Sequence, residues 1–363
     1  MTDERRFGRH EPFTIGVEEE LFVVDPRTGE LLNEAPHVLA ELDSSGPGQV
    51  KSEVHACQVE LITDVCRTVD EALDSLAQLS RAVLATGVGL MGSGTHPTAK
   101  EGDAEITSKD RYRLISDRLG DAVATPVGAL HIHVGMQDAE TAIRTFNGLR
   151  RRLPLLEALG ANSPYRHGRD TGLASAREIT LRGWPRSGVL RAMSSYEDFW
   201  SSTERLTKVA DVPDYTFHWW KLRPHPRLGT VEVRALDAQA RLADTAILAA
   251  AVQSFACVDA AGPSAIEPPP EILEEASFRA ARWGVAAALP DSQDELRPVV
   301  ELLSEMLGPA RSAARELGCA EHLDSVQALL EVGGGAGLQR RAYHDGGIDQ
   351  VLRSVMALRT SPV

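Results

Sequence analysis

Phe13-Thr14-Ile15-Gly16-Val17-Glu18-Glu19-Glu20-Leu21-Phe22-Val23-Val24 sets three consecutive carboxylates inside a run that otherwise reads as a β-strand. Side chains alternate faces along a strand, so Ile15, Val17, Leu21 and Val23 share an apolar face with Glu19, while Glu18 and Glu20 point together to the other face. Two carboxylates at adjacent same-face positions repel, and they resist joint ionisation unless a cation lies between them. The strand therefore predicts the start of a divalent-metal site. Glu19, on the apolar face, is expected to be tied by a buried hydrogen bond or ion pair behind the sheet.

Working outward, Asp25-Pro26-Arg27-Thr28-Gly29-Glu30 is a turn from which Leu31-Leu32 returns as a hairpin partner, which suggests antiparallel pairing. The segment 50–63 carries Glu53 and Glu60 at an odd separation, so a regular strand would send them to opposite faces. If both serve one site, a bulge or break lies between them. Residues 123–136 read as a strand with Val127, Ala129, His131, His133 and Gly135 on one face and Leu130, Ile132, Val134 and Met136 on the other. Segments 216–223 and 229–236 read as two more strands, the second placing Thr230, Glu232, Arg234 and Leu236 together.

Helices punctuate this pattern. Thr68-Val69-Asp70-Glu71 has the form of a capping box opening a helix to about Ala85. Asp138 can cap a helix through Ile143, Phe146, Leu149 and Leu153, with Arg150 to Arg152 read as a solvated charge run. Residues 196–209 are a further helix, and the chain reads as mainly helical from Ala238 onward, the Ala-rich stretch Leu242 to Ala261 first. The stretch 87–94 matches the dinucleotide-binding G-x-G-x-x-G by letter, but it follows a helix and leads into Thr95-His96-Pro97, so it reads as a glycine-rich strand and turn. His96 is read as stabilising that turn. Gly262 to Pro270 is the clearest linker, and Gly333-Gly334-Gly335-Ala336-Gly337 reads as a mobile loop, with a lid over the nucleotide as the alternative.

Composition narrows the function. With 363 residues and 43% hydrophobic content the chain can bury a real core. A net charge of -14 and a pI near 5.3 argue against binding nucleic acid or an anionic membrane. Cys57, Cys66, Cys257 and Cys319 form no Cys-x-x-Cys pair, which fits a reducing compartment. The charged segment 1–11 lacks the apolar core of a signal peptide and no run is expected to span a membrane, so a cytoplasmic location is expected.

The chemistry-bearing residues are thus Glu18 with Glu20, Glu53 with Glu60, His131 with His133, and Glu232 with Arg234. Each has a plainer reading: exposed acids on an edge strand, a hydrogen-bonded histidine pair, a same-face salt bridge worth little if exposed. Jointly, an oxygen-dominated set with one or two imidazoles suits Mg²⁺ or Mn²⁺ better than structural Zn²⁺. Such a site suits phosphoryl transfer.

The ordered combination of Gly16-Val17-Glu18-Glu19-Glu20-Leu21, Glu60-Leu61-Ile62-Thr63, Gly94-Thr95-His96-Pro97, His131-Ile132-His133, and Trp219-Trp220 through Arg223-Pro224 to Thr230-Val231-Glu232-Val233-Arg234 resembles the bacterial carboxylate-amine ligases called type 2 glutamate-cysteine ligases. The resemblance covers roughly the first two-thirds to three-quarters of the chain. It implies kinship with glutamine synthetase and an α+β fold: a curved, mostly antiparallel sheet forming an active-site funnel, with helices packed on its outer face. One catalytic domain over 1–363 is expected, with a sheet-forming core at about 12–240 and a helical part at about 241–363 that is either a subdomain or a cover on the outer sheet face.

The resemblance further implies that Glu20, Glu53 and Glu60 hold one Mg²⁺ and Glu18, His131 and Glu232 another, with ATP phosphates between them. His133 would lie near the substrate carboxylate, Arg234 would contact the transferring phosphate, and Arg177 and Arg223 would contact anions. One departure is Lys221, where many members carry an acid after the tryptophan pair. The implied activity is ATP-dependent amide formation through an acyl phosphate, by default from glutamate and cysteine. Alternatives are a ligase of the same fold acting on a specialised metabolite or peptide, a metal-dependent amide hydrolase that needs no ATP, and a nucleotide-binding regulator without turnover. A homo-oligomer, dimer or larger, is expected from the need to cover sheet edges.

Overall fold

The computed structural model describes residues 5–42, 46–262 and 268–360, the side chains of 357–360 excepted. Most of the expected linker at 262–270 and part of the loop at 44–48 lie outside the described residues. Seven strands form the main sheet: β1 (Ile15–Val24), β2 (Gln49–Ser52), β3 (Gln58–Ile62), β4 (Gly89–Met91), β5 (Ala129–Gly135), β6 (Leu222–His225) and β7 (Thr230–Asp237). Their order is β2-β3-β1-β5-β7-β6, with β4 paired to the far end of β1, and every pairing is antiparallel. The hairpin after β1 is present in short form, as a bridge between Val24 and Leu31.

β1 alternates as its pattern requires. Ile15, Val17, Leu21 and Val23 enter one core with Leu130, Ile132 and Val134 of β5 and with helices behind the sheet. Those helices are α1 (Val69–Ala85), α2 (Ala139–Gly160) and α4 (Leu242–Ala261), whereas α3 (Ala176–Leu181) borders a cavity with Glu20 on the other face. The Thr68 hydroxyl caps α1 at Glu71 N (3.2 Å), while the Glu71 carboxylate reaches Arg67 N, one residue before the position a capping box would use. α4 is apolar on all sides because it is surrounded: 83% of it is buried within the protein. It is nevertheless long and apolar enough to cross a membrane by length and composition, so the expectation that no run reaches that length does not hold.

Several expectations change. The strand expected at 123–136 is confined to β5, after a 3-10 turn at Gly120–Val123, and the strand expected at 216–223 is mostly irregular chain, running from the end of a 3-10 turn (Tyr215–Phe217) to the start of β6. Arg150 is 1% exposed, not solvated, because α2 is enclosed on several sides; its guanidinium donates to the carbonyls of Leu190 and Pro268. Arg152 forms a two-bond contact with Asp259 at 2.8 and 2.9 Å. The run at 333–337 is no mobile loop. Gly334 begins the helical segment α5 (Gly334–Thr360), which is kinked at Gly346 and Gly347; Ala336 N donates to Ala161 O, and a Cβ at Gly335 would stand 2.3 Å from the Asn162 amide.

α5 also divides the C-terminal third. Most of its helices lie behind the sheet, but α5 packs Val351, Leu352, Val355 and Met356 on Phe22, Val24 and Met91. By alternation Phe22 and Val24 continue the face of Glu18 and Glu20, so the last helix covers the far end of the same face that carries the acids.

Candidate active site

Strand pairing aligns the polar residues in a row across the sheet. Glu20 of β1 stands opposite Glu60 of β3, and Glu60 opposite Lys51 of β2. Glu18 stands opposite His131, and His133 of the same strand opposite Glu232 of β7, which in turn faces Arg223 of β6. Glu53 reaches the row because β2 ends at Ser52 and the chain turns before β3, which is the break its spacing required. Three sets of ligand atoms lie within 4.8 Å of one another: Glu20, Glu53 and Glu60; Glu18, Glu60 and His131; and Glu18, His133 and Glu232.

A bulge shapes the β7 end. Leu130 faces Leu236 and Ile132 faces Val233, so one residue of β5 opposes two of β7, Arg234 and Ala235. Both of these line the cavity in front of the sheet, and the extra residue turns Leu236 into the core behind it, not onto the face of Glu232. The glycines before His96 likewise serve packing. A Cβ at Gly92 would lie 1.8 Å from Gln239 O, and one at Gly94 would lie 2.4 Å from the Asp237 carboxyl. His96 holds the turn itself: Nε2 donates to Gly29 O (2.9 Å) and Nδ1 accepts from Thr98 N and Ala99 N. Glu19 is fully buried and accepts a 2.6 Å hydrogen bond from Thr245 Oγ1 of α4, behind the sheet as its register requires.

Electrostatics split the row into two halves. Burial and repulsion from Glu53 push the Glu20 carboxyl up to about 8, against the pull of Arg177 and Arg234. Burial and the other three acids drive Glu60 well above the usual range, and burial raises Glu53 as well. These three acids lack cations enough to ionise together, and a hard divalent cation would supply that charge, so they fit one. The Glu18 and Glu20 side chains remain 19% and 15% exposed, which leaves the row open to the front of the sheet.

The other half is already compensated. Burial opposes ionisation of Glu18, but His133 and His131 outweigh it and hold the carboxyl well below its ordinary value. His131 Nδ1 lies 3.2 Å from Glu18, and His133 Nε2 lies 3.4 Å from Glu18 and 3.7 Å from Glu232. Burial and Arg234 lower His131 to about 4, whereas Glu232 and Glu18 overcome burial and raise His133. Glu232, 1% exposed, is gripped by Arg223 Nε at 2.6 Å and by the Arg234 guanidinium, which keep it ionised despite burial. A second ion on Glu18, an imidazole and Glu232 would have to share the Glu232 carboxylate with these arginines.

Two cavities flank the row. One borders Glu18, His133 and Thr230 and is rimmed by Arg6, Arg9, Lys51 and Arg227. The other borders Glu20 and Arg234 and is walled by Arg177, Trp184, Trp219 and Lys221. Sequence reasoning missed Thr230, whose hydroxyl meets His133 Nδ1 at 3.0 Å, although its two-residue step from Glu232 places it on the same face. It also missed the arginine rim at 6–9, which lies in irregular chain and carries no periodic signal.

The model of glutamate-cysteine ligase family 2 matches residues 14–354. A relative from Rubrobacter xylanophilus, provisionally named glutamate--cysteine ligase 2-3, is 39% identical over 344 residues, covering 93% of this chain and 94% of its own length. A second, from Rhodopirellula baltica and provisionally named glutamate--cysteine ligase 2, is 32% identical over 360 residues, covering 95% and 96%. In fold the chain is similar to the glutamate--cysteine ligase of Francisella tularensis solved with AMP, at a TM-score of 0.71 and 14% identity over 97% of this chain and 90% of that one. With a family match spanning nearly all of its length and relatives above 30% identity, the chain belongs to glutamate-cysteine ligase family 2.

Proposed function

We propose that the protein is an ATP-dependent carboxylate-amine ligase that joins the side-chain carboxylate of glutamate to the amine of cysteine through an acyl phosphate. The observation that carries this reading is the set of three acids, Glu20, Glu53 and Glu60, gathered within 4.8 Å and raised by burial and mutual repulsion beside Arg234. Mg²⁺, or Mn²⁺, held by Glu20, Glu53 and Glu60 and by Glu18, His131 and Glu232 would neutralise the phosphates of ATP there. The cavity rimmed by Arg6, Arg9, Lys51 and Arg227 suits the polyphosphate, and the cavity bearing Arg177 suits the amino acids.

In the first step a carboxylate oxygen of the donor attacks the γ-phosphorus, and ADP leaves. In the second the amine nitrogen attacks the acyl carbon and inorganic phosphate leaves with that oxygen, so the amide forms at the expense of one ATP. Arg234, fixed by Glu232, offers its guanidinium to the charge that develops on the phosphoryl oxygens. Arg223 holds the other oxygen of Glu232 and so sets the direction of that carboxylate. His133, held by Thr230 and Glu18, borders the cavity rimmed by Arg6 and Arg9 and would contact substrate from there.

Purified protein with ATP, Mg²⁺ and a panel of amino acids is expected to release phosphate only when a donor and an amine are both present. Glutamate with cysteine is expected to be the best pair. Product formation without ATP would replace this reading with a metal-dependent amide hydrolase, and ATP binding without turnover on any pair would leave a regulator.

A further inference from the structure

Lys221 follows the tryptophan pair Trp219-Trp220, and the structure buries its ammonium among carboxylates. Its Nζ lies 2.5 Å from Glu178 of α3 and 2.9 Å from Glu157 of α2. Glu178 also meets Arg182 at 3.3 Å, and Arg182 meets Glu274 at 3.6 Å. The five residues make an alternating row of charge, and all but Glu157 line the cavity that holds Arg177. Lys221, Glu157 and Glu178 are only 7%, 6% and 4% exposed, so each depends on its partners for its charge.

What this row holds is α3. A helix of six residues (Ala176–Leu181) is too short to persist without tertiary ties. Its N-terminus is fixed by Ser175, which caps Glu178 N and donates to Asp237 at 2.9 Å. Its flank is fixed by Glu178 on Lys221. Arg177, the residue between these ties, is 3% exposed and donates through Nη2 to Arg234 O at 3.1 Å. Its Nε and Nη1 are buried without a hydrogen-bond partner in the wall of the cavity that also holds Glu20. The main chain of Lys221 adds a second link, its carbonyl accepting Arg234 N at 2.7 Å.

We propose that Lys221 is a positioning residue that clamps α3 through Glu178 and thereby fixes Arg177, the guanidinium that faces the amino-acid substrate, relative to Arg234. The identity of the anion that Arg177 meets rests on the ligase reading; the clamp does not. Lys221 touches no reacting atom in this scheme, and its effect is expressed through where α3 places the free N–H groups of Arg177.

The test compares Glu178→Ala, Lys221→Met and Lys221→Arg in the full chain. Glu178→Ala cuts the clamp while leaving Lys221 paired with Glu157, so it keeps the fold; a thermal melt confirms this for each variant. The expected result for Glu178→Ala is a rise of about tenfold or more in KM for the donor amino acid, with the KM for ATP unchanged, since small misplacements of a binding group are costly. Amide hydrogen exchange over 176–181 is expected to speed up in the same variant. Lys221→Met is expected to show the same split if it folds, and Lys221→Arg to recover most of the wild-type KM because a guanidinium can bridge both carboxylates. A folded Glu178→Ala with unchanged amino-acid KM, with an equal rise in the KM for ATP, or with unaltered exchange over α3 overturns the proposal. Absence of wild-type turnover with every pair would defeat the ligase reading, and the exchange measurement would then decide the clamp by itself.

Discussion

Replacing Glu60 by Gln removes one of three acids while keeping its shape, and the structure sets the size and sign of the effect. Ligand oxygens of Glu20, Glu53 and Glu60 lie within 4.8 Å of one another. At that separation two unit charges in a medium of effective dielectric about 20 repel by about 3 kcal/mol. The acids avoid that repulsion by holding protons, as the raised Glu60 carboxyl shows, and Glu60→Gln removes the cost of that proton uptake, at most about 3 kcal/mol of stabilisation at pH 7 in the metal-free protein. For a chain of this length that corresponds to a rise of about 4 °C in Tm. The same substitution withdraws a ligand from the cation, so the sign reverses when metal is added: Mg²⁺ is expected to raise the wild-type Tm and to leave the variant nearly unmoved. Melts by calorimetry in chelator and in Mg²⁺, for both proteins, give the four values required. A variant that melts below wild type in chelator, or that keeps the full Mg²⁺ response, would refute the reasoning, because either result means the three acids are not a mutually repelling cation site.

Other perturbations test separate parts of the molecule. Arg234→Lys is expected to lower kcat by about 100-fold or more without altering Tm, because a lysine cannot hold Glu232 and a phosphoryl group with one planar fork; steady-state kinetics and a melt check it together. Burial depresses the His96 imidazole from 6.5 to about 4, so the unfolded chain binds the extra proton between those values. Stability from this residue is complete above the unfolded pKa and is lost as pH falls through the folded one, by about 3 kcal/mol in all. Urea unfolding from pH 7 to pH 4 is expected to show that decline, and His96→Gln to flatten it. Thr245→Val is expected to cost about 1–3 kcal/mol by depriving buried Glu19 of a hydrogen bond, with kcat of the folded enzyme unchanged. The Cys57 thiol, fully buried and pushed up to about 12 by burial, is expected to resist maleimide in the native state and to react only on denaturation.

How far the sequence could be read depended on whether a residue's neighbours are set by local period. Glu18, Glu20, His131 and His133 lie on regular strands, where a repeat of two residues assigns the face without knowledge of the partner strand. Glu53 with Glu60 was legible as a demand for a break, since two acids at odd spacing cannot otherwise meet. Leu236 was misplaced because a bulge depends on the pairing of β5 with β7, which no single strand reveals. Arg150 was misread for a related reason: a helix enclosed on several sides has no solvated face, and its charge is met by carbonyls about 40 and 118 residues away in sequence. The partners of Lys221 lie on α2 and α3, 64 and 43 residues from it, so nothing near the tryptophan pair could have named them.

The seat of α5 on Phe22 and Val24 has a consequence for how the protein is made. β1 emerges early from the ribosome, but the surface that covers its far end belongs to the last helix of the described chain. Until α5 has been made, those two aromatic and aliphatic side chains stand open beside the acids, a state prone to aggregation and to capture by chaperones. A message truncated before Val351 would therefore yield a chain with every acid and imidazole of the row and no means of closing the strand that bears the first two. Closure of the far end of β1 thus waits on the synthesis of α5.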